Sequence, residues 1–306
     1  MNTTELTRHC SRVATPTKPV AHRRQLLHPL LVATFVCLAA FTSSARADSP
    51  KRPLRLLLLW HSPDGHPRLT HEYQAGMKLI ASLLQRQRVT ERRIQPILVH
   101  ANDPWREGPE LLDGADAAAL FVSEGAAWLS RDPKRLAGFQ RLAGRGGGLA
   151  GIHWGIGTRK AEPIPAFLSL LGGCHGGPDR KYKVVTALAS PAADGKRRHP
   201  VLRGLKPFEI KDEFYYRLKL ATPTRRITSL LRVPIDGKTE TVSWGFERPD
   251  GGRSFGFSGL HFHQNWSRAE YRRLVLQGLL WTLKQPIPES GIAVPLKPSD
   301  LELPRS

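Results

Sequence analysis

The sequence predicts an α/β fold: a mainly parallel sheet with helices on both faces, followed by a strand-rich second half. Three observations carry this. Between residues 54 and 153, short apolar runs alternate with helix-like segments, the order expected of a parallel sheet with crossover helices. The run at 54–60 (Leu-Arg-Leu-Leu-Leu-Leu-Trp) is almost continuously apolar, as in a strand buried on both faces. Later, five strand-like runs follow one another at 182–188, 207–216, 226–233, 240–246 and 254–260.

The elements follow in order. After the first strand comes a polar loop, His61-Ser62-Pro63-Asp64-Gly65-His66-Pro67. Thr70 is then expected to cap a helix whose apolar residues Tyr73, Met77, Ile80 and Leu84 step by four, three and four. Residues 94–99 read as a second strand, and Pro96 argues for an edge position or a late strand start. A third strand is expected at 117–123. Asp132-Pro133 reads as a cap followed by a proline in the first helical turn. That helix ends in Gly144-Arg145-Gly146-Gly147-Gly148, and a buried strand, 149–152, runs into a turn at His153. The last helix is expected to begin at a capping box, Ser267-Arg268-Ala269-Glu270. Residues 287–306 are proline-rich and read as an extended C-terminal tail.

The N-terminus reads differently from the rest. Basic Arg23 and Arg24 precede an apolar run from Leu30 to Phe41, and Ala45-Arg46-Ala47 is a small-x-small cleavage site. This is the layout of a signal peptide over residues 1–47. The run is too short for a membrane span of about 20 residues; an uncleaved anchor is the alternative. The expected location is therefore periplasmic or extracellular, with no stable membrane span after cleavage and one domain over 48–286. The mature chain would keep 40 Lys+Arg against 25 Asp+Glu, a net charge of +15, and Cys174 as its one cysteine. No internal disulfide or cysteine-based zinc ribbon can then form. Basic residues are scattered, with clusters at Arg86-Arg88-Arg92-Arg93 and Lys196-Arg197-Arg198. Neither lies in a nucleic-acid motif, so no nucleic-acid partner is expected.

Ligands of open α/β sheets bind outside the carboxyl ends of the strands. Nine histidines fall beyond residue 47, and six of them (His61, His66, His71, His153, His261, His263) follow three predicted strands. Histidine moves protons near neutral pH and ligates metals. His153, His71 and Glu213 are the candidate catalytic groups. His261 and His263, two apart and so on one face of a strand, are candidate ligands for a divalent metal ion. Aromatic and polar neighbours, His61, Trp154, Tyr215, Asn265 and Trp266, are candidate contacts for a small-molecule carbohydrate, whose rings offer apolar faces and hydroxyl edges. The turn after residue 152 resembles a nucleophile elbow but holds His153 instead of Ser or Cys. Cys174, beside His175 in a glycine-rich loop, is the alternative nucleophile of an amidase or peptidase.

Six segments in order resemble the trehalose-utilisation, ThuA-like family over about residues 54–285. They are His61 with Thr70-His71-Glu72-Tyr73, Gly146 to His153, Leu171-Gly172-Gly173…His175, His199 to Leu205, Asp212-Glu213-Phe214-Tyr215, and Gly259-Leu260-His261-Phe262-His263…Asn265-Trp266. The resemblance implies a flavodoxin-like three-layer sandwich, within the class I glutamine amidotransferase-like superfamily but without its catalytic cysteine. It also implies carbohydrate metabolism, on keto-disaccharides or glycosides. The combined expectation is an exported carbohydrate-processing protein with His-based acid/base chemistry, metal-assisted or not. The alternative is a non-catalytic sugar-binding or regulatory module on the same fold.

Overall fold

The structure, a computed structural model, describes residues 52–303 apart from 107 and 194–197. The expected signal peptide with Cys10 and Cys37, and Lys196 and Arg197, therefore lie outside the described residues. The first half runs β1 (Leu54–Trp60), α1 (Tyr73–Gln85), β2 (Ile94–His100), α2 (Gly108–Asp113), β3 (Ala117–Phe121), α3 (Gly125–Arg131), α4 (Pro133–Gly144) and β4 (Gly148–Ile152). The second half continues with β5 (Gly157–Thr158), α5 (Ile164–Leu171), β6 (Gly173–Gly176), β7 (Lys181–Pro191), β8 (Phe208–Tyr216) and β9 (Lys219–Leu220). It ends with β10 (Ile227–Ile235), β11 (Lys238–Glu247), β12 (Arg253–Phe257) and α6 (Ala269–Thr282).

Nine strands form one sheet in the order β2-β1-β3-β4-β12-β11-β10-β7-β8, and β5, β6 and β9 form a small second sheet. The alternation along β1 shows why its sequence is apolar throughout. Leu56 and Leu58 enter one core layer with α1 and α6, while Leu57 and Leu59 enter the other with α3, α4 and α5. A strand covered on both faces has no solvent side to mark with polar residues. Pro96 sits in β2, which pairs only with β1 and forms the edge.

The expected mainly parallel sheet is corrected to a mixed one. Pairings from β2 through β12 are parallel, and those from β12 through β8 are antiparallel, so each type accounts for half of the neighbour relations. The cause is local. Asp236 and Gly237, both at positive φ (50° and 72°), make the two-residue turn that returns β10 onto β11, the geometry that favours hairpins over crossovers.

Two helix starts also differ from expectation. Thr70 does not cap α1, because its backbone bridges Phe262 and its hydroxyl donates to the Pro67 carbonyl; α1 begins at Tyr73. Ser267 ends a 3₁₀ turn, so Arg268 takes the cap position of α6 without a side-chain hydrogen bond. Asp132 does cap α4, accepting from the Lys134 and Arg135 amides. In the C-terminal segment Ile292 and Val294 are buried, and Asp300 accepts from Arg86, the residue that caps α1. No helix among the described residues is long and apolar enough to cross a membrane.

Candidate active site

Three chain segments converge at the carboxyl edge of the sheet. The loop after β1 folds back and is pinned to the segment after β12, with the His71 amide donating to the His261 carbonyl and the His263 amide to the Leu69 carbonyl. His153 follows β4 directly and opens a short 3₁₀ turn. His71 (φ 52°), His153 (φ 47°) and Leu260 (φ 75°) are all in the left-handed region, which is costly for non-glycine residues and is tolerated where the surroundings enforce it. The backbone is thus bent at, or one residue before, each of the three histidines.

The result is a cluster of imidazoles. His153 Nε2 lies 3.0 Å from His71 Nε2 and 3.2 Å from His261 Nδ1. The other nitrogens of His71 and His153 fix their tautomers. His153 Nδ1 is 2.8 Å from the Ser258 carbonyl, so it donates. His71 Nδ1 is 3.0 Å from Asp64 Oδ2, so it donates too. Burial alone would raise the Asp64 carboxyl, but hydrogen bonds from His71, Tyr73 and His66 outweigh it and hold it well below the usual carboxylate range. In their neutral forms both Nε2 atoms therefore carry lone pairs and face each other at 3.0 Å. Two lone pairs so placed repel unless a cation lies between them.

A proton is a poor candidate for that cation. Burial, then the neighbouring histidines, pushes His153 well below its ordinary range. Burial also lowers His71, and it takes His261 down to about 4. A divalent metal fits better. It needs neutral imidazole donors, and the Asp64–His71 pair has the carboxylate–histidine form that orients metal ligands. Tetrahedral ligation at about 2.1 Å separates donors by roughly 3.4 Å, a few tenths more than the observed spacings.

Glu213, on β8, completes the site. Its Oε1 lies 3.9 Å from His153 Nε2 and 3.7 Å from His261 Nδ1. Burial, then Asp212, pushes its carboxyl up to about 7. Asp212 itself is fully buried and accepts from the amides of Leu260 and Phe262, which flank His261, and from Tyr271. It anchors the histidine-bearing turn.

His153 has no exposed surface, and the His261 side chain is 12% accessible. The cluster meets solvent at a cleft of about 120 Å³ lined by His66, His71, Trp154, Glu213 and Tyr215, among others. His66 and His71 also line a larger cavity of about 510 Å³.

The structure brings His71, His153, His261 and Glu213 together and sets Trp154 and Tyr215 in the cleft wall. Tyr215 stacks between His153 and His175, with centroids 4.5 and 3.9 Å away. His61 lines the larger cavity, with both ring nitrogens used on the Ala101 carbonyl and the Ser123 amide. Three expected residues lie elsewhere. Buried His263 turns away to the Leu301 carbonyl, so it is not placed to ligate with His261. Asn265 is buried and donates to the Lys211 carbonyl, and Trp266 is a core residue. Cys174 is buried in β6 with its thiol pushed up to about 12 by burial, so it offers no thiolate.

Asp64, Tyr73, Arg159, Arg180 and Tyr182 carry no functional assignment from the sequence, yet all five stand at or beside the site. The signal for Asp64 was its place in the same loop as His66 and His71.

A comparison with curated proteins finds no match. Among solved structures, a ThuA-like protein from Bacteroides uniformis is similar at a TM-score of 0.57 and 15% identity, covering 78% of this chain and 94% of that one. A cytoplasmic protein from Salmonella typhimurium has a TM-score of 0.49 and 16% identity over 75% of this chain and 99% of its own. The first likeness supports the fold. The family model described as trehalose utilisation, ThuA, matches residues 58–282. A match over that much of the sequence settles the family, and the chain belongs to the ThuA family.

Proposed function

We propose that this chain is an exported, metal-dependent carbohydrate-processing enzyme acting on keto-disaccharides or keto-glycosides. The observation that carries the reading is the pair of lone-pair-bearing Nε2 atoms of His71 and His153, 3.0 Å apart, with His261 Nδ1 at 3.2 Å. His71, His153 and His261 hold a divalent cation in this reading, in place of the acid/base role expected for the first two. Such an ion, when bound, supplies Lewis-acid polarisation of a substrate oxygen.

The chain's own groups do the rest. Glu213 is the carboxylate of the cleft nearest two of the three imidazoles, at 3.7 and 3.9 Å. It removes a proton from the carbon beside the substrate carbonyl; that C–H electron pair becomes a C=C bond as the C–O bond on the next carbon breaks, and Glu213 returns the proton to the departing oxygen. Tyr215 stacks on the His153 ring at a centroid distance of 4.5 Å and so holds it in place. Trp154 offers an aromatic face to a sugar ring.

The test is turnover of keto-glycosides by protein supplied with zinc, manganese or cobalt. Glu213→Gln should lose at least about a hundredfold in kcat, as expected for an acid/base group, while keeping its metal. His153→Gln should lose both. Full turnover in either variant refutes the assignment, and tight sugar binding without product favours the regulatory-module alternative.

A further inference from the structure

Part of the lining of the small cleft is cationic. Arg159 and Arg180 both line it, together with Tyr182. Arg159 is already committed: it pairs with Glu124, and its guanidinium lies 5.4 Å from the Trp154 ring centroid. Arg180 is not. Its side chain reaches the Gly177 carbonyl at 3.4 Å, and among the described residues no carboxylate pairs with it. Its acidic neighbour, Asp179, is taken by Lys219 at 2.8 Å. Arg180 is only partly exposed, held at the start of β7 by the turn at Gly177 (φ 86°).

A half-buried guanidinium without an anionic partner keeps most of its planar fork of donors for a ligand, and that fork matches a carboxylate bidentately. The cleft is small, about 120 Å³, below the usual range for a whole drug-sized ligand. It suits a single ring or its acidic end. Tyr182, also in the lining, is 57% exposed and edge-on to His175 at 6.5 Å, so its ring can flank a ligand.

We infer that the substrate is an acidic sugar, a uronic- or aldonic-type unit whose carboxylate is held by Arg180 while its reacting carbon faces Glu213. Arg180 is thus a specificity-determining residue. The inference deepens the carbohydrate reading above and rests on it.

The test is calorimetric titration of the full chain with D-glucuronate and with D-glucose, alongside cobalt(II) titration of the same samples. Glucuronate should bind at least about tenfold tighter than glucose, since one charged, bidentate contact separates them. That advantage should shrink as salt rises from about 0.05 to 0.5 M. Arg180→Gln should abolish it and leave cobalt uptake and the melting temperature unchanged; Arg180→Lys should retain part of it. Glucuronate binding no tighter than glucose, binding of neither, or an undiminished advantage in Arg180→Gln overturns the inference. Cobalt uptake separates the two ideas. A cobalt site without glucuronate preference leaves the metal reading standing, and an Arg180-dependent preference without cobalt uptake leaves this inference standing alone.

Discussion

Replacing Asp64 with Asn probes the metal reading without touching a ligand. The carboxylate is nearly enclosed, with 11% of its side chain accessible. It accepts from His71 Nδ1 at 3.0 Å, His66 Nδ1 at 2.7 Å and the Tyr73 hydroxyl at 2.6 Å. An amide of the same shape has one acceptor oxygen for these three donors and turns an N–H₂ toward at least one of them. It also removes the negative charge that makes His71 a basic ligand. Loss of such a carboxylate behind a metal-bound histidine weakens metal affinity by about 10- to 100-fold, which is about 1.4–2.7 kcal/mol. The assay is competition for zinc against a chromophoric chelator at neutral pH. An affinity within about twofold of wild type would show that Asp64 does not orient a metal ligand, and the tautomer argument for the cluster would fail.

Two further outcomes follow from groups away from the cluster. His199, against Trp281 at a centroid distance of 4.8 Å, is lowered to about 4 by burial and then by Arg253 and Arg203. The unfolded chain protonates it near 6.5, so its contribution to stability is complete above 6.5 and is lost as pH falls from 6.5 to about 4. That interval corresponds to about 3 kcal/mol. Denaturant titrations of wild type and His199→Gln at pH 7 and pH 4 should show a smaller pH dependence in the variant by about that amount; equal dependences would contradict the assignment. Cys174, with its buried thiol at about 12, should resist iodoacetamide in the native protein at pH 8, and Cys174→Ala should keep full activity. Rapid alkylation with inactivation would revive the thiol mechanism.

Much of this molecule is legible in its sequence, and the exceptions have physical causes. The burial of β1, the edge position of Pro96 and the Asp132 cap all follow from local chemistry. So does the grouping of histidines at strand ends. The order of strands in the sheet does not, because hairpin and crossover connections differ by a few turn residues, here those at 236–237 and 248–252.

His261 and His263 show the same limit at the site. Two residues apart on a strand, they would share a face. The strand ends at Phe257, however, and Leu260 bends the backbone at φ 75°. His261 then meets His153 while His263 reaches Leu301. Thr70 is spent on a bridge to Phe262 for a related reason: the loop it belongs to is held by a distant segment. Asp64 gave no periodic signal at all, since it meets His66, His71 and Tyr73 only because the loop folds back onto the start of α1.

The most direct measurement is the metal content of the full chain after equilibrium dialysis against zinc or cobalt, read by elemental analysis and, for cobalt, by its visible spectrum. The expected result is about one ion per chain, with the intense visible bands of tetrahedral cobalt, and loss of both in His71→Gln, His153→Gln and His261→Gln. Substoichiometric uptake by the wild type, or uptake untouched by His153→Gln, would contradict the account.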